Sequence, residues 1–225
     1  MDKTPKQDTS QPHSGIFGKI YDHSNIDNLK LINKPYPVNS CVELTIGHSQ
    51  SHIEQYLELI KNYTNPIIVD FGGGCGINHL IVKEYPSKYY IVETKELCKE
   101  ALKYPLFIFT SDIFSIQEPI DIFYSNSGIQ YALDICSIID YINTKLIPKH
   151  ILIQRIFFTD KESYITQQEN INTLVWVFNL LDFTNKFTNY TYKVLSEYDF
   201  PPYNKIYGYY GEICVQLSVL FTRIS

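Results

Sequence analysis

Four glycines and an aspartate stand close together in DFGGGCGINH, residues 70–79. Asp70, Gly72, Gly74 and Gly76 are spaced D-x-G-x-G-x-G, directly after the apolar run PIIV at 66–69. A strand that ends in such a loop and leads into a helix brings backbone N–H groups to the carboxyl edge of a sheet. Because glycine has no side chain, a ligand can approach the main chain there. The stretch therefore predicts a small-molecule cofactor site.

The glycine spacing discriminates between two classes of cofactor. A dinucleotide fingerprint needs G-x-G-x-x-G. Counting from Gly72 places Ile77 at the third glycine position, and counting from Gly74 places His79 there, so neither frame completes it. D-x-G-x-G-x-G instead resembles motif I of S-adenosylmethionine (SAM) methyltransferases, in which the loop wraps the amino-acid part of the cofactor. A tight turn without a ligand is the alternative. The resemblance implies SAM as cofactor, bound by Asp70, Gly72, Gly73, Gly74 and Gly76.

Two further acidic residues follow the next two apolar runs. Glu93 closes KYYIVE, about 20 residues past the loop, where a carboxylate commonly accepts hydrogen bonds from ribose hydroxyls. This chemistry serves NAD and SAM equally. Asp112 in FTSDIF stands where methyltransferases often read the adenine amine. An aspartate that caps a turn or a helix is the alternative at this position.

The run IDIFYS leads into SNSGIQY at 125–131, which supplies candidates for both cofactor and acceptor. Ser125 and Asn126 are expected at the carboxyl end of a strand, facing the crevice where ligands bind. Asn126, Tyr131 and Arg155 are the candidates for the catalytic side of the site. Arg155 is one of two arginines in the chain, and its guanidinium could bind a carboxylate or phosphate of the acceptor. A structural ion pair is the alternative.

Apolar runs alternate with helix-like segments from residue 66 to residue 157. Nearly continuous apolar strands separated by helices predict a parallel sheet covered on both faces. Right-handed crossovers make it an open, doubly wound α/β sheet. The strand-like runs are PIIVDF, KYYIVE, LFIFT, IDIFYS and HILIQRIF, and the helix-like segments are INHLIVKEY, TKELCKEALKY and YALDICSIIDYINTKL.

The C-terminal part of the chain has a different pattern. We expect a helix in NTLVWVFNLLDFTNKF (172–187), then an antiparallel hairpin of the strands 191–198 and 212–224. A mostly parallel sheet closed by such a hairpin is the Rossmann-like arrangement seen in class I methyltransferases. A D-F-P-P-Y word at 199–203 is interpreted as a turn, because it follows the wrong strand to be an amino-methylating motif.

The sequence predicts three regions. Residues 1–14 are polar and are expected to form a disordered tail. Residues 15–47 are expected to be an irregular segment that covers the site. Residues 48–225 are expected to form the methyltransferase domain, opening with a helix near Ser51, where S-H-I-E offers a capping box.

Composition limits the partners that the chain can have. A net charge of -5 and a pI near 5.7 argue against a generic binder of nucleic acid or anionic membranes. No run approaches the roughly 20 apolar residues of a membrane span. Five scattered cysteines, none in a C-x-x-C pair, indicate reduced thiols in a cytoplasmic protein without a metal site. The oligomeric state is left open.

Most of residues 60 to 200 resemble a little-characterised bacterial methyltransferase family whose genes often lie in surface-polysaccharide (O-antigen or capsule) clusters. The words that carry this resemblance are PIIVDFGGGCG, YYIVE, IDIFYSNSGIQYALD, HILIQRIFF, YITQQENINTLVWVFNLLDF and YKVLSEYD. Arg155, Gln168 and Trp176 stand where the family has an Arg-Thr-Pro-like word, a Gln and a Trp. Ile156 and Phe157 replace the Thr-Pro step.

The leading hypothesis is a SAM-dependent methyltransferase that modifies a small-molecule or sugar-linked acceptor, as in surface-glycan biosynthesis. One alternative is a catalytically degenerate protein of the same fold that binds a partner. A third hypothesis, an NAD-dependent oxidoreductase, is disfavoured by the incomplete dinucleotide fingerprint. Methylation of nucleic acid is disfavoured by the acidity of the chain and by the lack of N/D-P-P-Y after the fourth strand.

Overall fold

A computed structural model describes residues 17–21, 50–74, 76, 78, 86, 88–101, 108–168, 173–198, 206–208 and 212–224. The expected tail at 1–14, most of segment 15–47 and nearly all of the helix expected at 77–85 lie outside the described residues. The strands are β1 (Phe17–Tyr21), β2 (Ile67–Phe71), β3 (Lys88–Val92), β4 (Ile108–Thr110), β5 (Ile122–Asn126), β6 (His150–Thr159), β7 (Tyr164–Gln168), β8 (Thr173–Asn179), β9 (Tyr190–Tyr198), β10 (Ile206–Tyr207) and β11 (Ile213–Arg223). The α-helices are α1 (Gln50–Ile60), α2 (Lys95–Ala101), α3 (Ile135–Tyr141) and α4 (Leu180–Asn185).

Five parallel strands form the centre of the sheet, in the order β4-β3-β2-β5-β6. The chain runs outward from β2 to β4 and then returns to the other side of β2 with β5. The strand order therefore reverses between β2 and β5, and ligands of open α/β sheets bind in the crevice at such a reversal. The loop after β2 and the turn after β5 both lie at this crevice.

The predicted C-terminal hairpin is confirmed. β9 and β11 pair antiparallel, and β11 also pairs antiparallel with β6. The doubly wound, mostly parallel sheet with an antiparallel C-terminal pair is thus the fold that the sequence predicted. No helix among the described residues is long and apolar enough to cross a membrane.

The helix expected at 172–187 is wrong for its first half. Residues 173–179 form the strand β8, which pairs antiparallel with β7, and only Leu180–Asn185 are helical. The run TLVWVF is buried along its whole length, and its β-branched and aromatic residues suit a strand that is covered on both faces. The Asn179 side chain accepts a hydrogen bond from the N–H of Asp182 and so starts the helix after the strand.

The N-terminal segment also contains a strand where irregular structure was expected. β1 pairs antiparallel with β7, so that β1, β7 and β8 extend the sheet beyond the parallel strands. β8 joins the far end of β6 through Phe158 and Thr159. The strand β6 is long enough to belong to both parts, since its first half pairs with β5.

A β-bulge separates the two halves of β6. The register of β11 on β6 shifts between Leu217 and Val219, which leaves one extra residue on β6 around Gln154 and Arg155. Arg155 has a φ of 53°, in the left-handed region that residues other than glycine rarely adopt. The bulge lies level with the carboxyl end of β5, because Asn126 pairs with Gln154.

Apolar side chains cover both faces of the parallel sheet. One face packs against α1, with Tyr56, Ile60, Ile68, Ile91 and Leu152 among its buried residues. The other face packs against α3 and α4 and continues under β8 and β11. This two-sided burial explains why the parallel strands are apolar along their length.

Candidate functional site

The loop after β2 is a tight turn built on glycine. Gly72, Gly74 and Gly76 have φ values of 73°, 59° and 83°, a region that costs other residues about 1–2 kcal/mol. The Gly72 N–H donates to the carbonyl of Val92 at 2.9 Å, and the Gly76 N–H donates to the carbonyl of Gly73 at 3.1 Å. The alternation of glycine in the motif thus follows the alternation of left-handed residues in the loop.

The turn after β5 packs directly on this loop. A Cβ added to Gly72 would lie 2.6 Å from the Cα of Gly128, and a Cβ added to Gly128 would lie 2.3 Å from the carbonyl oxygen of Phe71. Two backbone segments therefore touch where the strand order reverses. Gly128 is a residue of this crevice that the motif spacing does not predict, although a glycine directly after a polar strand end, in SNSG, is a signal for it.

Gly74 faces open space among the described residues. A Cβ added there would meet no described heavy atom within 4 Å. Its N–H donates to Oε1 of Glu93 at 2.9 Å, and the other carboxylate oxygen accepts from the N–H of Thr94 at 2.9 Å. Burial raises the pKa of Glu93, while these two N–H groups oppose the rise. The structure thus brings Glu93 to the glycine loop. Its contact with ribose hydroxyls stays a prediction.

Asp70 lies beneath the loop and is fully buried. Its Oδ2 accepts hydrogen bonds from the Tyr89 hydroxyl at 2.9 Å and from Nδ2 of Asn78 at 3.1 Å. Its Oδ1 is buried and has no hydrogen-bond partner among the described residues. A Cβ added to Gly73 would lie 2.7 Å from the Asp70 carboxyl carbon, so the carboxyl group packs against the loop backbone. Burial raises the pKa of Asp70 to about 7, with a further contribution from the charge of Glu93.

Ser125 and Asn126 lie at the crevice as expected. The hydrogen bonds described for the Ser125 hydroxyl are made to the backbone of the two turns. The Ser125 hydroxyl donates to the carbonyl of Phe71 at 2.8 Å and accepts from the N–H of Ile129 at 2.9 Å. Since the side chain is fully buried and uses both functions, we assign it the role of joining the two turns. Its contact with a cofactor stays a prediction.

Asn126 and Arg155 form a pair at the same edge. Nε of Arg155 donates to Oδ1 of Asn126 at 2.7 Å, and both side chains are partly exposed. The left-handed bulge thus places the guanidinium beside the end of β5. Two of the three residues predicted for the acceptor side are brought together, although no sequence pattern indicates the bulge.

Tyr131, the third of these residues, is half-buried, and its turn is held by side chains of β7 and β8. Its hydroxyl donates to Oε1 of Gln168 at 2.9 Å. Nε1 of Trp176 donates to the carbonyl of Ala132 at 3.1 Å, one residue further on. The Gln and Trp on which the family resemblance rests therefore fix the turn that carries Tyr131.

Asp112 is exposed and caps a short 3-10 turn, Ile113–Ser115. Its Oδ1 accepts from the N–H of Phe114 at 3.0 Å. This is the contact of the capping alternative, and contact with an adenine stays a prediction. No three His, Cys, Asp or Glu side chains in the described part of the chain are grouped so that they could hold a metal ion.

The described loop fits the amino-acid end of a nucleoside cofactor such as SAM. Gly74 leaves the room that a side chain would fill, and Asp70 holds a buried carboxylate oxygen that no described residue bonds to. Asp70 and Glu93 together place two acidic groups beneath and beside the loop. Opposite charges attract strongly where water is excluded, so a cationic ligand complements this site.

Comparison with known proteins supports the fold. No protein-family model matches the sequence, and no curated protein matches it. Among solved structures, the chain is similar to the YcgJ protein from Bacillus subtilis, with a TM-score of 0.58, 10% identity and coverage of 79% of this chain and 100% of that one. It is also similar to the N-terminal domain of EvdMO1 with S-adenosylhomocysteine (SAH) bound, with a TM-score of 0.58, 11% identity and coverage of 95% and 100%. A third similar structure is a protein assigned as an S-adenosylmethionine-dependent methyltransferase, from Listeria monocytogenes, with a TM-score of 0.50, 11% identity and coverage of 79% and 100%.

These similarities, together with the strand order and the C-terminal hairpin, define the class of fold. The chain has the Rossmann-like fold of class I methyltransferases. At 10–11% identity the likeness concerns the fold and does not extend to substrates.

Proposed function

We propose that this protein is a SAM-dependent methyltransferase acting on a small-molecule or sugar-linked acceptor. One observation carries the proposal. At the point where the strand order reverses, three left-handed glycines form a loop whose open position, Gly74, is tied to the carboxylate of Glu93. A ligand-free turn needs neither the open glycine nor its half-buried acidic partner.

In this proposal the residues of the loop bind the cofactor, which supplies an activated methyl group when bound. Gly74 admits the amino-acid part against the backbone. Glu93 accepts from the ribose hydroxyls, since each carboxylate oxygen retains a lone pair beyond the bond it already accepts. Asp70 holds the loop from below and provides negative charge near the cationic ligand.

The acceptor side of the proposed site is built around Asn126, Tyr131 and Arg155. Methyl transfer is an in-line displacement, so alignment of the nucleophile matters most and can contribute roughly 7–11 kcal/mol. Arg155 is oriented by Asn126, and Tyr131 is oriented by Gln168. A guanidinium at this position suits an acceptor that carries a carboxylate or a phosphate.

We propose a sugar-linked acceptor in surface-glycan biosynthesis on two grounds. The first is the family resemblance of the words around Arg155, Gln168 and Trp176. The second is that the EvdMO1 domain, a neighbour with a TM-score of 0.55 and 11% identity, was crystallised in the presence of SAH and D-fucose. The proposal places the reaction in the cytoplasm, where the free thiols of Cys98, Cys136 and Cys214 would stay reduced.

Calorimetric titration with SAH tests the cofactor half of the proposal. We expect one binding site in the wild type and loss of binding in Glu93→Ala and Gly74→Val. Glu96→Ala is the matched control, because Glu96 is an exposed glutamate three residues further along, and it should bind as the wild type does. Binding that survives both site variants, or that is absent from the wild type at millimolar SAH, would refute the proposed site.

Incubation with SAM and a panel of sugar phosphates, nucleotide sugars and their neutral analogues tests the acceptor half. We expect methylated products of the anionic acceptors, detected by mass spectrometry, and a higher KM for them in Arg155→Lys. SAH binding without a methylated product from any acceptor or from cell extract would assign the chain to the degenerate binding proteins. Preference for neutral acceptors would remove the role proposed for Arg155.

A further inference from the structure

The carboxyl group of Asp70 stands out among the buried polar groups of the molecule. It is fully buried, and its two oxygens have unequal surroundings. Oδ2 accepts from Tyr89 and Asn78, whereas Oδ1 is without a partner among the described residues. An ionised carboxylate would leave a charged oxygen buried and unsatisfied, which costs much more than burying a neutral group.

Among the groups that face Asp70, Glu93 also favours its neutral form, whereas the donors Tyr89 and Asn78 favour the ionised form. β3 supplies Tyr89 and, directly after the strand, Glu93, whose negative charge opposes a second one nearby. α1 supplies Tyr56, whose hydroxyl donates to the Tyr89 hydroxyl at 3.0 Å. β5 supplies Tyr124, which stacks on Tyr56 with ring centroids 3.9 Å apart. The pKa values of Tyr56 and Tyr89 are raised by burial, so these hydroxyls stay protonated.

We propose that Asp70 carries a proton in the free protein and releases it when the α-ammonium group of the cofactor, which SAM and SAH share, binds at the loop, so that Asp70 is a proton-linked positioning residue of the loop. This inference rests on the proposed cofactor. The O–H bond of the carboxyl group breaks, its electron pair stays on the carboxylate, and the proton passes to the buffer. A nearby positive charge favours the ionised form of a carboxyl group.

The geometry gives the proton a direct effect on the loop. The Asp70 carboxyl group lies against Gly73, and a Cβ there would overlap it. Asn78, which donates to Asp70, stands at the start of the segment that follows the loop. A change in the charge of Asp70 therefore acts on both ends of the turn that would receive the cofactor.

Calorimetry with SAH in two buffers of different ionisation enthalpy measures the number of protons released. With the pKa of Asp70 raised to about 7 in the free protein, we expect about 0.9 proton at pH 6, about 0.5 at pH 7 and fewer than about 0.1 at pH 8.5. The affinity should fall about fivefold from pH 7 to pH 6.

Variants identify the group that releases the proton. Asp70→Asn keeps the shape of the neutral acid, so we expect it to bind SAH with the pH-dependent release abolished. Tyr89→Phe removes a donor to Oδ2 and should move the midpoint of release to higher pH. Tyr56→Phe is the control, since it leaves both donors to Asp70 in place, and its midpoint should match that of the wild type.

Several outcomes would overturn the inference. SAH binding without proton release at pH 6 and pH 7, or release that persists in Asp70→Asn, would refute it while the proposed cofactor stands. If Asp70→Asn does not fold, an unmoved midpoint in Tyr89→Phe would refute it equally. Absence of any SAH binding by the wild type would remove the proposed function, and the inference with it.

Discussion

The contact between Gly72 and Gly128 allows a quantitative prediction about the two backbone turns at the crevice. Gly128 has φ and ψ of −83° and −45°, which alanine adopts without strain. Any cost of Gly128→Ala is therefore steric. The added methyl would lie 2.3 Å from the Phe71 carbonyl oxygen and 2.8 Å from the Gly72 Cα. Neither neighbour can rotate away, because both are backbone atoms.

The size of the effect follows from the kind of contact. Overpacking typically costs about 1–3 kcal/mol, and a clash of backbone with backbone belongs at the upper end, near 3 kcal/mol. For a chain of this length that corresponds to a fall in Tm of about 6–12 °C. Gly74→Ala is the matched control. It has a left-handed φ but open space, so its cost should be only about 1–2 kcal/mol.

Urea and thermal unfolding, followed by circular dichroism, measure these differences. We expect Gly72→Ala to destabilise the protein at least as much as Gly128→Ala does. Gly128→Ala should in turn destabilise it more than Gly74→Ala does. The affinity for SAH should show the opposite order. Gly74→Ala should weaken SAH binding more than Gly128→Ala does, since only Gly74→Ala places a methyl where the cofactor is expected. A Gly128→Ala protein within about 0.5 kcal/mol of the wild type, or one more stable than Gly74→Ala, would refute the close packing of the two turns.

Three further predictions concern buried groups. The pKa of Asp70 is raised to about 7 in the folded state, against 3.8 in the unfolded state, so the folded state binds more protons between these pH values. The free energy of unfolding should therefore fall as pH rises, and between pH 5 and pH 8 the wild type should lose about 2–3 kcal/mol relative to Asp70→Asn, measured by urea unfolding. Parallel pH curves for the two proteins would contradict this prediction. Tyr164→Phe should lower the free energy of unfolding by about 1.5–3 kcal/mol, because the Tyr164 hydroxyl donates to buried Glu212 at 2.7 Å. Tyr192→Phe, on the surface, is the control and should change it very little. Equal unfolding midpoints for the two variants would refute the bond. Burial raises the pKa of the Cys214 thiol to about 12, whereas Cys136 is exposed. Iodoacetamide at pH 8 should therefore label Cys136 quickly and Cys214 only after unfolding, as measured by peptide mass spectrometry. Equal labelling of both cysteines in the folded protein would count against this burial.

The sequence predicted the parallel part of the fold well because each of its strands is a short apolar run next to a turn. The prediction failed for the strand β8 and missed its partner strand β7. The run TLVWVFNLLDF is long and apolar, and periodicity alone cannot separate a buried strand from a buried helix. The strand partner of that run, YITQQ at 164–168, ends in two glutamines and lacks the pattern of an apolar strand.

The candidate site divides in the same way. Asp70, the glycines and Glu93 were predictable because motif spacing and strand order bring them together. The pairing of Arg155 with Asn126 depends on a bulge in β6, and the close packing of Gly128 depends on the approach of β2 and β5. Both are tertiary features, for which single residues such as the glycine of SNSG give at most a hint.

A crystal structure of the protein soaked with SAH tests the central claim most directly. We expect density for one ligand at the end of β2, with its amino-acid part against Gly74 and its ribose hydroxyls at Glu93. A ligand that binds elsewhere in the molecule, or a loop that accepts NADH while leaving SAH unbound under the same conditions, would contradict the account.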